Sequence, residues 1–111
     1  MPSLYEPCGL NQIYSMIYGT LPIARATGGL VDTVKNYNEK TGEGTGFLFN
    51  DATKDALKNT IGWALSTWYN KKTHYKKMQK SAMDQDYSWK QAVPKYEDIF
   101  NQAILRRKNW T

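Results

Sequence analysis

Two runs of this chain are short and apolar enough to be buried strands: residues 21–24 (LPIA) and residues 46–49 (GFLF). Apolar runs without alternation suit parallel strands covered on both faces. The remainder reads as helix or loop. Asp51 or Thr53 can cap a helix reaching about residue 70, and a second helix runs over about 73–83. Ser88 with Gln91 forms a capping box for a last helix to about residue 107. Pro94 is expected to kink that helix or delay its start. Residues 35–45 are polar, contain Gly42 and Gly44, and read as an exposed loop. The class is therefore α/β, helix-rich, with about two short parallel strands. Two such strands do not make a stable parallel sheet alone. The expectation is one partial domain over residues 1–111, with further strands supplied from outside it.

The chemistry concentrates in residues 5–34. Glu6 stands ahead of Pro7, which fixes its own backbone angle and biases Glu6 toward an extended conformation. Gly9 permits a backbone geometry closed to other residues. From there Leu10, Ile13, Tyr14, Ile17 and Tyr18 fall at the spacing of one helix face, and Gly19 stands where such a helix stops. Cys8, Gly9, Leu10 and Asn11 would then offer the free N–H groups of a helix start, which favour an anion such as a diphosphate. A carboxylate beside that anion would be repelled, so Glu6 suits neutral hydroxyls such as those of a sugar. The alternative is that Glu6 simply caps the helix. After the strand come Thr27, Gly28 and Gly29. Adjacent glycines allow close backbone approach to a ligand, or only a tight turn.

These residues resemble the core motif of bacterial glycogen synthases and plant starch synthases. The similar blocks are PSLYEPCGLNQIYSMIYGTLPIARATGGLVDTV, then GTGFLF at residues 44–49, then AMDQDYSW at residues 82–89, in order and with fitting gaps. Members of that family are retaining glycosyltransferases of the GT-B fold, built from two Rossmann-like domains. The resemblance implies the distal half of the C-terminal domain. It implies that Glu6, as catalytic-site residue, binds hydroxyls of the donor glucose. It places Cys8 and Gly9 near the same sugar and the amides of Leu10 and Asn11 near the donor diphosphate. Thr27, Gly28 and Gly29 match a turn on the wall of that cleft. It implies ADP-glucose as donor, an α-1,4-glucan as acceptor, and no cofactor or metal. Lys and Arg phosphate ligands and an N-terminal acceptor domain would lie upstream, so the isolated chain is expected to be inactive. Two positions depart from the pattern. Tyr14 stands where the broader pattern has a second glutamate, which removes a carboxylate contact to the ribose. Ile17 stands where relatives are often basic.

Composition narrows the other classes. The 111 residues are enough for one domain with a modest core. No apolar stretch approaches membrane-spanning length, and no secretory signal opens the chain. The single cysteine excludes an internal disulfide and fits a reducing, cytoplasmic setting. One Cys and one His leave no metal cluster. The net charge of +5 gathers in Lys71, Lys72, Lys76, Lys77 and Lys80 around His74. Without a nucleic-acid motif it reads as a solvated helix face with His74 at the surface. Aromatics make up 14% of the chain. Trp68 continues the stripe Leu57, Ile61, Ala64 and Leu65. Trp89, Ala92, Val93, Tyr96, Ile99 and Phe100 form another, and both stripes read as core. The competing reading is a non-catalytic module derived from such an enzyme, one that binds glucan or self-associates through an open sheet edge.

Overall fold

The computed structural model describes residues 1–110. The elements are α1 (Asn11–Ile17), β1 (Ile23–Arg25), α2 (Gly29–Thr33), β2 (Phe47–Phe49), α3 (Lys54–Asn70), α4 (Lys72–Met83) and α5 (Trp89–Lys108). Both expected strands form, and they pair in parallel with Ile23 opposite Phe47, Ala24 opposite Leu48 and Arg25 opposite Phe49. Each edge of this narrow sheet is partly occupied. The Met1 amino group donates to the Ile23 carbonyl at 2.7 Å, and Arg25 N–H donates to the Met1 carbonyl at 3.0 Å. On the other side Asn36 bridges Gly46 in parallel, and its side-chain oxygen accepts from Leu48 N–H at 2.8 Å. Satisfied edge groups limit further strand addition.

The core gathers Met16, Leu21, Val34, Tyr37, Phe47, Ala64, Met78 and Ala82. Phe47 lies at its centre, with Tyr37 and Trp63 rings at 5.5 and 5.1 Å in edge-to-face geometry. Helix α3 packs on the sheet and on α4, and α4 also packs on α1. Thr53 caps α3 as expected, its hydroxyl accepting from Ala56 N–H at 3.2 Å.

Burial does not follow the apolar stripes throughout. Helix α1 buries Gln12 and Met16, one turn apart, while Leu10, Tyr14, Ile17 and Tyr18 face outward. Helix α3 buries Thr60, Ala64 and Thr67, leaving Ile61, Leu65 and Trp68 substantially exposed. Small residues let the helix axis approach its neighbours. The buried hydroxyls of Thr60 and Thr67 donate to the Ala56 and Trp63 carbonyls one turn back, at 2.8 and 2.9 Å. The segment 35–45 is no plain exposed loop. Tyr37 and Thr45 are buried within it, and the Tyr37 hydroxyl meets His74 Nδ1 at 2.8 Å. His74 is thereby half-buried rather than at the surface. Helix α2 escaped the sequence reading because its five residues are too few to show a period.

Helix α5 departs furthest. It buries no residue, with Trp89 73% and Phe100 62% exposed, so its stripe is not core. The expected capping box is absent as well. The Ser88 side chain caps nothing in α5; instead the Asp86 carboxylate accepts from Ser88 N–H at 2.8 Å and from the Gln91 side chain at 3.4 Å. Pro94 sits inside the helix without delaying its start. The radius of gyration is 17.6 Å, against about 13 Å for a compact chain of this length. The long axis of 62 Å, more than twice either other dimension, reflects the helix standing off the body. Among the described residues no helix is long and apolar enough to cross a membrane.

Candidate functional site

The site lies where residues leave the carboxyl end of β1, the end at which open α/β sheets bind ligands. Thr27, Gly28 and Gly29 form the turn that opens α2. Thr27 accepts from Leu30 N–H at 3.1 Å, and Gly28 accepts from Val31 N–H at 3.2 Å, both through carbonyls. The segment from Glu6 to Cys8 lies directly against this turn. Gly29 N–H donates to the Glu6 carbonyl at 3.0 Å. A Cβ on Gly28 would fall 2.0 Å from that carbonyl oxygen, and Gly28 has a φ of +50°. A Cβ on Gly29 would fall 2.7 Å from the Cys8 Cα and the Pro7 carbonyl oxygen. The two glycines thus admit the chain's own Glu6–Cys8 backbone, which the turn reading did not specify.

Glu6 is half-buried. It does not cap α1: the N-cap position is Leu10, and no side chain caps it. Among the described residues the Glu6 carboxylate takes no hydrogen bond from the protein, so its oxygens are available. Gly9 turns the chain with φ +75°, and a Cβ there would fall 3.2 Å from Glu6 Cγ. The first bond of α1 runs from Tyr14 N–H to the Leu10 carbonyl at 2.9 Å. The N–H groups ahead of it therefore have no intrahelical partner. Cys8, Leu10 and Asn11 are exposed there.

The structure thus joins Glu6, Cys8, Gly28 and Gly29 in direct contact. Gly9 adjoins Glu6, and Leu10 and Asn11 follow at the helix start. Thr27 is seated in its own turn. Sequence reasoning missed two supports. Arg25 donates to the carbonyls of Leu4 at 2.7 Å and Asn50 at 2.9 Å, fixing the segment before Glu6 to both strand ends. Gln12 is fully buried and donates to Cys8, Gly9 and Thr33. A polar residue one turn from Met16, on the side opposite the apolar stripe, was the available signal. A cavity of about 500 Å³ opens between Lys35, Thr45, Ser81 and Asp84. It lies toward the opposite end of β2, and none of the residues above lines it.

The Glycosyl transferases group 1 family model matches residues 1–85. The chain is 55% identical over 107 residues to a glycogen synthase of Treponema denticola, a match covering 96% of this chain and 22% of that protein. It is 45% identical over 109 residues to soluble starch synthase 1 of Solanum tuberosum, covering 95% and 17% respectively. The solved catalytic domain of starch synthase IV from Arabidopsis thaliana, bound to ADP and acarbose, superposes with a TM-score of 0.80 at 31% identity. That likeness covers 93% of this chain and 22% of the other. The expected fold, helix-rich with two parallel strands as in part of a GT-B catalytic domain, holds. The chain spans about a fifth of the length of the relatives it matches, and it belongs to the group 1 glycosyl transferases.

Proposed function

We propose that residues 1–111 are part of the C-terminal nucleotide-sugar-binding domain of a glycogen or starch synthase. The reaction is transfer of glucose from ADP-glucose to an α-1,4-glucan with retention of configuration. The observation that carries this is the unpartnered Glu6 carboxylate, held where its backbone crosses Gly28 and Gly29. Glu6 accepts hydrogen bonds from hydroxyls of the donor glucose. The backbone at Cys8 and Gly9 lines the sugar, and Leu10 and Asn11 N–H groups meet the diphosphate. Thr27, Gly28 and Gly29 form the opposing wall. The chain's contribution is positioning and stabilisation of the departing diphosphate. The names of the relatives support the activity, and the ADP and acarbose of the Arabidopsis structure support the two ligand classes. A cytoplasmic setting belongs to the same proposal, on the exposed Cys8 thiol.

The test is Glu6→Ala in a complete enzyme carrying this segment. Loss of a hydrogen bond involving a charged group costs about 1.5–3 kcal/mol, or about one to two decades in kcat/KM if felt at the transition state. The melting temperature should hardly move, because the side chain bonds nothing in the protein. Full activity in the variant would refute the assignment.

A further inference from the structure

Gln12 is buried without exposure, yet its Oε1 has no hydrogen-bond partner. Its Nε2 faces three acceptors: the Cys8 carbonyl at 2.8 Å, the Gly9 carbonyl at 3.0 Å and the Thr33 hydroxyl at 3.2 Å. The amide cannot turn over, since Oε1 would then oppose two carbonyl oxygens. The Thr33 hydroxyl spends its proton on the Gly29 carbonyl at 2.8 Å, so toward Gln12 it can only accept. The network therefore has one direction, from the Gln12 amide through Thr33 to Gly29. It links the turn at Cys8 and Gly9 to the turn that opens α2.

A trans peptide sets its C=O and N–H antiparallel. Drawing the Cys8 carbonyl inward turns Gly9 N–H outward, and drawing the Gly9 carbonyl inward does the same for Leu10 N–H. Among the described residues neither N–H has a protein acceptor. We propose that Gln12 is a positioning residue of the donor site: its side-chain amide locks two carbonyls inward and so aims the Gly9 N–H out toward the donor sugar and the Leu10 N–H out toward the diphosphate. This rests on the donor-site reading above. Glutamate in its place would keep the length and lose the donors. The unpartnered Oε1 is the cost of an amide placed for what its nitrogen does. The same oxygen would lie 2.7 Å from a Cβ at position 9, so the clamp also demands glycine there.

The experiment uses a complete enzyme carrying this segment, labelled with ¹⁵N at Gly, Leu and Tyr. Gln12→Met keeps the volume and removes both donors. The heteronuclear NOE of Gly9 and Leu10 should fall in the variant while Tyr37 and Leu48, bonded in the sheet margin, keep theirs. A titration with ADP should weaken about tenfold, one charge-assisted hydrogen bond or so, while the affinity for adenosine stays constant. Unchanged order at Gly9 and Leu10 in folded Gln12→Met would overturn the proposal. If that variant fails to fold, Thr33→Val decides. It cuts only the link to α2 and should loosen the same two amides less; no change there overturns the proposal too. A complete wild-type enzyme that takes up no ADP would refute the donor reading, while order lost at Gly9 and Leu10 in Gln12→Met would leave the clamp standing.

Discussion

Helices α4 and α5 follow one another in the chain and reverse the usual relation between composition and burial. Helix α4 carries four lysines in twelve residues, yet Met78 and Ala82 are sealed in the core. Helix α5 carries Trp89, Val93, Tyr96, Ile99, Phe100, Ile104 and Leu105, and all are exposed. The difference lies in what stands opposite. Helix α4 has α1 and α3 as neighbours. Its lysines remain in solvent or make short ties, Lys71 to Glu39 at 3.5 Å just before the helix and Lys77 to the Thr41 carbonyl at 3.0 Å within it. Two well-placed apolar residues suffice to seat a helix, and seven without a facing surface do not.

The largest expected effect sets two phenylalanines against each other. Phe47→Ala should destabilise the chain by about 3–5 kcal/mol, the range for an aromatic removed from a core. Phe100→Ala should stay within about 0.5 kcal/mol, as for other surface changes. Urea unfolding of both decides it, and a comparable loss at Phe100 would show that α5 packs in solution. The stripe left on α5 should also drive self-association. Light scattering across a concentration series should find assemblies larger than one chain, shrinking in Ile99→Glu with Phe100→Glu. A monodisperse wild type at high concentration would break that side of the comparison.

The two helix starts sharpen it on a smaller scale. Thr53→Ala removes a cap and should cost about 1 kcal/mol. Ser88→Ala, at the equivalent place in α5, should cost clearly less in the same thermal melts, because its side chain bonds only the exposed Asp86 carboxylate and no N–H of the helix. Asp86 supplies the smallest effect. Hydrogen bonds from the Ser88 side chain and then its backbone N–H hold this carboxyl below its ordinary value of 3.8. A depressed folded pKa means that the contribution is whole above 3.8 and is lost as pH falls through the folded value. The first turn of α5 should therefore fray in acid before the body does, read from Cα shifts of Trp89 to Gln91. Shifts that stay constant to the lowest pH at which the body holds would show that Asp86 does not steady that turn.

Much of this was legible in the residues. The two apolar runs located both strands, Gly19 located the stop of α1, and Thr53 located the start of α3. The run from Glu6 to Gly29 named the two segments that the structure brings into contact and that the proposed site is built from. What stayed hidden depends on partners distant in sequence. A stripe shows which face is apolar but not whether anything lies against it, so the α5 stripe, and the α3 stripe apart from Ala64, were misread as core. Gly28 and Gly29 read as a turn, while the Glu6–Cys8 backbone that fills their missing side chains lies some twenty positions away. Gln12 showed only as a polar residue opposite the apolar stripe; its role as a clamp was hidden because two of its acceptors are backbone carbonyls and the third, Thr33, stands on another helix.

The parallel register of β1 and β2 has a kinetic consequence. Ile23 meets Phe47 only after the intervening crossover has closed. Loop-closure entropy is lost before any ladder bond compensates for it. The α3–α4 hairpin faces no such delay, since its contacts are near neighbours and helices form within about a microsecond. Refolding should thus show early helical signal and later protection of the Phe47 N–H, which donates to the Pro22 carbonyl only once the strands have met.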